Sequence, residues 1–93
     1  MSSIGKRIRV RGKVQGVWFR ATTQRIAKDL GLKGWVMNQL DGSVLIEVFG
    51  AVNVIDRFVE QCKVGPRHAV VEEITCEDIP FVSVDSFEIK RRR

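Results

Sequence analysis

An α+β sandwich, with two helices packed on one face of a mainly antiparallel sheet, is the fold class this sequence predicts. Three observations predict it. Strand-like and helix-like hydrophobic periods succeed one another in the order β-α-β-β-α-β, the turn pair Asp41-Gly42 separates two apolar runs, and 93 residues are enough for one modest core. A composition of 44% apolar and 29% charged residues is that of an ordinary globular chain.

Ile8, Val10, Gly12 and Val14 alternate with Arg7, Arg9, Arg11 and Lys13, the period of a strand with one buried and one wet face. Phe19, Thr23, Ile26, Ala27 and Leu30 then recur at helical spacing, and Gly31 followed by Leu32 suits a glycine C-cap with its apolar contact. Leu32 to Leu40 and Ser43 to Phe49 read as two antiparallel strands. A two-residue turn at Asp41-Gly42 sets Asn38 opposite Leu45, and an added bulge would move it to the other face. Val52, Ile55, Phe58, Val59 and Cys62 form a second helical stripe, with Asn53 as candidate N-cap and Gly65-Pro66 as the stop. Ala69 to Ile79 reads as a further strand ending at Pro80, and Phe87-Glu88-Ile89 as a short extended tail piece. Residues 1–5 and 91–93 are expected to be frayed ends of a single domain spanning 1–93. This order is the split βαβ, or ferredoxin-like, arrangement, which hosts enzymes, RNA readers and ligand-sensing modules alike.

The net charge of +5 invites a nucleic-acid reading, but Lys90, Arg91, Arg92 and Arg93 supply four of those charges, so the body of the chain is close to neutral. Base stacking would also need aromatics on the central strands, and the wet face of the first strand is entirely basic. No apolar run approaches the roughly 20 residues a bilayer requires, and Met1 to Lys6 lacks the apolar core of a secretory signal. A cytoplasmic protein that does not engage membranes is expected. Cys62 and Cys76 lack metal-ligand spacing and read as free thiols, the single His68 as a surface residue, and no carboxylate cluster accompanies the glycine-rich segment. Neither a metal nor a cofactor is expected.

The chemistry is concentrated in Gly12-Lys13-Val14-Gln15-Gly16-Val17-Trp18-Phe19-Arg20, where two glycines and an arginine lie between a strand and a helix. Glycine permits positive φ and close backbone approach, and N–H groups turned to one side just before a helix form an anion-attracting concavity. An arginine at the end of that loop adds a planar, permanently charged fork matched to phosphate oxygens.

That segment, with Gly34 to Val44 (GWVMNQLDGSV), resembles the two signature segments of the acylphosphatase family, G-x-V-Q-G-V-x-F-R and G-x-V-x-N-x-x-D-G-x-V. Thr23, Gly31-Leu32, Gly65-Pro66 with Ala69-Val70, and Phe87-x-Ile89 extend the resemblance over nearly the whole chain. It implies a hydrolase that cleaves the carboxyl–phosphate bond of small-molecule acyl phosphates; a monomer is expected, and the lack of ligand clusters leads to an expectation of metal independence. By the same resemblance, Arg20 grips the phosphate together with the N–H groups of Gln15, Gly16, Val17, Trp18, Phe19 and Arg20. Asn38 holds the attacking water, and inorganic phosphate competes with substrate.

Taken alone, Arg20 reads as a surface cation at a helix start, where the dipole disfavours it, and Asn38 as a turn residue. Trp18, Phe19 and Trp35 read as core or pocket wall. Met37 and Leu45 depart from the family pattern, which often places a basic residue before the asparagine and an acidic one after Val44. The alternative to an enzyme is a non-catalytic module of ferredoxin-like fold, either nucleic-acid-binding or an accessory unit like that of hydrogenase-maturation proteins, which normally belongs to a much longer chain.

Overall fold

The computed structural model of the chain describes residues 2–91; the expected fraying at 1, 92 and 93 lies outside the described residues. The elements run β1 (Ser3–Lys13), α1 (Phe19–Asp29), β2 (Lys33–Asn38), β3 (Val44–Ala51), α2 (Val52–Val64), β4 (Val70–Ile79) and β5 (Phe87–Lys90). They form a sheet of order β4-β1-β3-β2-β5, antiparallel except for the β2–β5 pair, with both helices on one face.

The alternation in β1 and β3 sorts the two faces as expected. Ile8, Val10, Val44, Ile46 and Val48 are buried beneath the helices, while Arg7, Arg9, Leu45 and Glu47 occupy the opposite face. The helices return Phe19, Thr23 and Ala27 from α1 and Ile55, Phe58 and Cys62 from α2 to the same core. Each large apolar side chain buried here stabilises by roughly 1.5–3 kcal/mol relative to exposure. Phe87 of β5 closes the core against Phe58, ring centroids 6.1 Å apart.

Several boundaries differ from the sequence reading, and tertiary pairing causes each difference. β1 begins at Ser3, inside the stretch read as frayed, because β3 extends to Ala51 and offers Ala51, Gly50 and Phe49 as partners for Ser3, Ile4 and Gly5. The same extension carries β3 straight into α2. Ala51, extended at φ −69° and ψ 139°, is the cap residue, and Asn53 falls inside the first turn. By contrast α1 ends as its Gly31-Leu32 pair predicts, Leu32 N–H donating to Ala27 O at 2.8 Å and Gly31 N–H to Lys28 O at 3.1 Å.

The hairpin register also differs. Asn38 stands opposite Val44, not Leu45, because the turn has three residues, Leu40, Asp41 and Gly42, closed by Gln39 N–H donating to Ser43 O at 2.9 Å. Gly42 takes the left-handed conformation such a loop requires, at φ 91°. Asp41 Oδ1 locks the turn by accepting from Ser43 N–H at 2.9 Å and from Ser43 Oγ at 2.6 Å. Asn38 thereby stays on the helix-facing side of the sheet with Val36 and Val44.

Two further features place the chain around the site. A bulge between Arg11 and Gly12 redirects the end of β1; Gly12 has φ 131°, and a Cβ there would stand 2.1 Å from Val70 O. The tail strand β5 is held by Gln24 Nε2, which donates to Phe87 O at 3.0 Å, and by Gly34 N–H, which donates to Ser86 O at 3.0 Å. Among the described residues no helix is long and apolar enough to cross a membrane.

Candidate active site

The loop between β1 and α1 carries two left-handed residues, Gly16 at φ 75° and Trp18 at φ 66°. Positive φ is unusual for a bulky residue and marks a backbone held in place by its surroundings. Alternating left- and right-handed conformations turn successive N–H groups toward one side. The N–H groups of Gln15 to Trp18 make none of the backbone hydrogen bonds found outside the regular elements, and those of Phe19 and Arg20 open α1, where no helical acceptor exists. The helix start also has neither a side-chain cap nor an acidic residue in its first turn. What the local sequence leaves unsatisfied is a cluster of donors at the positive end of a helix.

This loop forms one wall of a half-open pocket of about 420 Å³. Gly16, Trp18, Phe19 and Arg20 line it from the loop and α1, Asn38 from the end of β2, and Ile89 and Arg91 from the tail strand. Arg20 and Asn38, 18 positions apart in sequence, are thus brought to one cavity. Among the described residues Arg20 enters no ion pair or side-chain hydrogen bond. Asn38 Oδ1 is buried and has no hydrogen-bond partner, a condition that costs about 1–3 kcal/mol when nothing else satisfies the acceptor.

The remaining predicted residues divide. Val17 and Phe19 are buried and anchor the loop in the core, whereas Trp18 is 80% exposed at the pocket rim. Trp35 lies away from the pocket beneath Lys90, whose Nζ is 5.0 Å from the ring centroid. The Gln15 side chain has a task the sequence reading did not assign it: Nε2 donates to Gln39 O at 2.8 Å and to Ser43 O at 2.9 Å. One amide therefore ties the glycine loop to the turn that follows Asn38. Ile89 and Arg91 were not expected in the pocket, since no local pattern in the tail tells that β5 runs parallel to β2, with Val36 beside Ile89 and Met37 beside Lys90.

No pocket-lining residue is a carboxylate, histidine or thiol. The two cysteines are free. Burial pushes the Cys62 thiol up to about 12, and burial also raises Cys76 despite the nearby Lys6 and Lys63 ammonium groups. His68 is exposed between α2 and β4.

Fold and pocket together define a ferredoxin-like sandwich with a basic, donor-rich cleft at the end of its first strand. The acylphosphatase family model matches residues 6–89, and the chain belongs to the acylphosphatase family. It is 44% identical over 87 residues to an acylphosphatase of Rhizorhabdus wittichii, covering 94% of this chain and 88% of that one. The crystal structure of acylphosphatase from Bacillus subtilis superposes with a TM-score of 0.91 at 36% identity, covering 94% and 98% of the two chains. T. kodakarensis HypF matches at 35% identity and a TM-score of 0.82, over 95% of this chain and 12% of that one. Membership of this family supports hydrolysis of small-molecule acyl phosphates as the general activity.

Proposed function

We propose that the pocket between the glycine loop, Asn38 and the tail strand is the catalytic site, and that it hydrolyses acyl phosphates to a carboxylate and inorganic phosphate without a metal ion. The observation that carries this reading is that Arg20, the left-handed loop residues Gly16 and Trp18, and Asn38 line one cavity. Phosphoryl transfer through a loose transition state asks chiefly for charge stabilisation on the equatorial oxygens and an in-line nucleophile. Arg20 and the N–H groups of Gln15 to Arg20 supply the first. Asn38 supplies the second: its side-chain amide, at the pocket wall, orients a water whose oxygen then attacks phosphorus as the bond to the carboxylate oxygen breaks. The carboxylate is a good leaving group and departs without a general acid; the proton released from water passes to solvent or to the product phosphate.

The reading includes phosphate as a competitive inhibitor, since the same cradle holds product and substrate. It also takes the protein to act as a cytoplasmic monomer, which gel filtration tests by elution at 10.6 kDa. Metal independence is part of the same reading, and a lining whose described residues include no carboxylate supports it. The decisive assay is steady-state hydrolysis of benzoyl phosphate beside a phosphate monoester, each with and without chelator. Turnover of the first, little of the second and no effect of chelator are expected. A chain that hydrolyses neither, or only with Mg²⁺ present, overturns the assignment.

A further inference from the structure

Resting on the proposed function, we infer that Arg91 is a specificity-determining residue that selects acyl phosphates whose acyl group carries a second anion, a carboxylate or a phosphate. A pocket of about 420 Å³ accommodates far more than a phosphoryl group, so the acyl half of the substrate lies within it as well. The cradle and Arg20 stand on the β1–α1 side. The edge strand β5 packs against α1, and its register sets Ile89 beside Val36 and Lys90 beside Met37; one step on, Arg91 reaches the pocket that Asn38 also lines. Ile89 and the rim residue Trp18, 80% exposed, add apolar surface to the cavity that the two arginines share. No acidic side chain lines the cavity, and among the described residues Arg91 enters no ion pair. A substrate with a phosphate, a hydrocarbon spacer and a second anion matches a cavity lined by two arginines and apolar side chains.

The test compares succinyl phosphate with butyryl phosphate, in which a methyl group replaces the carboxylate, on the wild-type chain, Arg91→Gln and Arg91→Lys. At low ionic strength the wild type should prefer succinyl phosphate in kcat/KM, and Arg91→Gln should reduce that preference about five- to tenfold, with Arg91→Lys retaining part of it. Equal losses on both substrates, accompanied by weaker inhibition by inorganic phosphate, would mean that Arg91 grips the transferred phosphate and would overturn the inference. So would an unchanged preference. Calorimetric binding of the two corresponding non-hydrolysable phosphonates makes the same comparison without turnover. A wild type that hydrolyses neither substrate overturns the proposed function, while the binding preference still decides the role of Arg91.

Discussion

At the residue scale, the proposed function divides one reaction between Arg20, which binds, and Asn38, which acts on the water. Arginine at a helix start is opposed by the dipole, and its placement there makes sense where an anion sits between the guanidinium and the N–H groups. Arg20→Lys keeps the charge and loses the fork, so kcat/KM for benzoyl phosphate is expected to fall by about a hundredfold or more with folding unaffected. Near-native kcat/KM in that variant would remove Arg20 from the phosphate. Asn38→Ala is a different experiment. If the Asn38 amide orients only the nucleophile, kcat drops at least about tenfold while KM and phosphate inhibition hold steady, because the lost interaction exists only on the way to the transition state. A raised KM with kcat intact would instead make Asn38 a substrate contact.

At the element scale, the glycine loop is joined to the β2–β3 hairpin, and the proposed site spans that join. Gln15 makes that join with a single amide, its two N–H groups bonded to Gln39 O and Ser43 O. Gln15→Leu should remove two hydrogen bonds, worth about 0.5–1.5 kcal/mol each, while Ser43 O keeps its bond from Gln39 N–H and Gln39 O its bond from Gly42 N–H, and should release the loop from the strand that carries Asn38. Thermal unfolding should shift down by several degrees and kcat/KM should fall together with it; a stability loss with full activity would show that the loop keeps its place without the tie. The same hairpin explains the two departures from the family pattern. Met37 and Leu45 are direct cross-strand partners, so an apolar pair stands where the family pattern places opposite charges, and each departure is matched by the other.

For the molecule as a whole, the wet face of the sheet is a lattice of ion pairs. Arg7 meets Glu47 at 2.8 Å and Glu77 at 3.3 Å, Arg11 meets Asp41 at 3.1 Å and Glu73 at 3.5 Å, and Arg9 lies 3.9 Å from Asp41. The basic stripe that suggested a nucleic-acid surface is therefore largely neutralised; Leu45 is flanked on that face by Arg9 and Met37, and Trp35 stands beside Glu47. Asp41 connects this lattice to the catalytic hairpin. Hydrogen bonds from Ser43, first its hydroxyl and then its N–H, with Arg11 assisting, hold the carboxyl down at about 2, below its ordinary 3.8. A depressed folded-state value means that the carboxylate's stabilising effect is complete above pH 3.8 and is lost as pH falls through about 2. Asp41→Asn should accordingly melt lower than wild type at pH 6, with the gap closing between pH 4 and 2; a gap independent of pH would show that the charge contributes nothing.

Much of this was determined by the sequence alone. Element order, the two-faced strands, the helical stripes, the Gly31 cap and the glycine loop all follow from periodicity and local backbone chemistry, which act over a few residues. The motif residues Arg20 and Asn38 were legible for the same reason, as short patterns of residue type at set spacing. Tertiary structure decided what depends on partners distant in the chain. Strand β1 starts at Ser3 because β3 reaches Ala51, Asn38 faces Val44 because Asp41 and Ser43 close a three-residue turn, and Gln15 acts through two carbonyls more than twenty residues away. Arg91 enters the pocket only because β5 pairs in parallel with β2. Sheet register and edge order are set by burial and hydrogen bonding across the whole core, and no window of sequence contains that information.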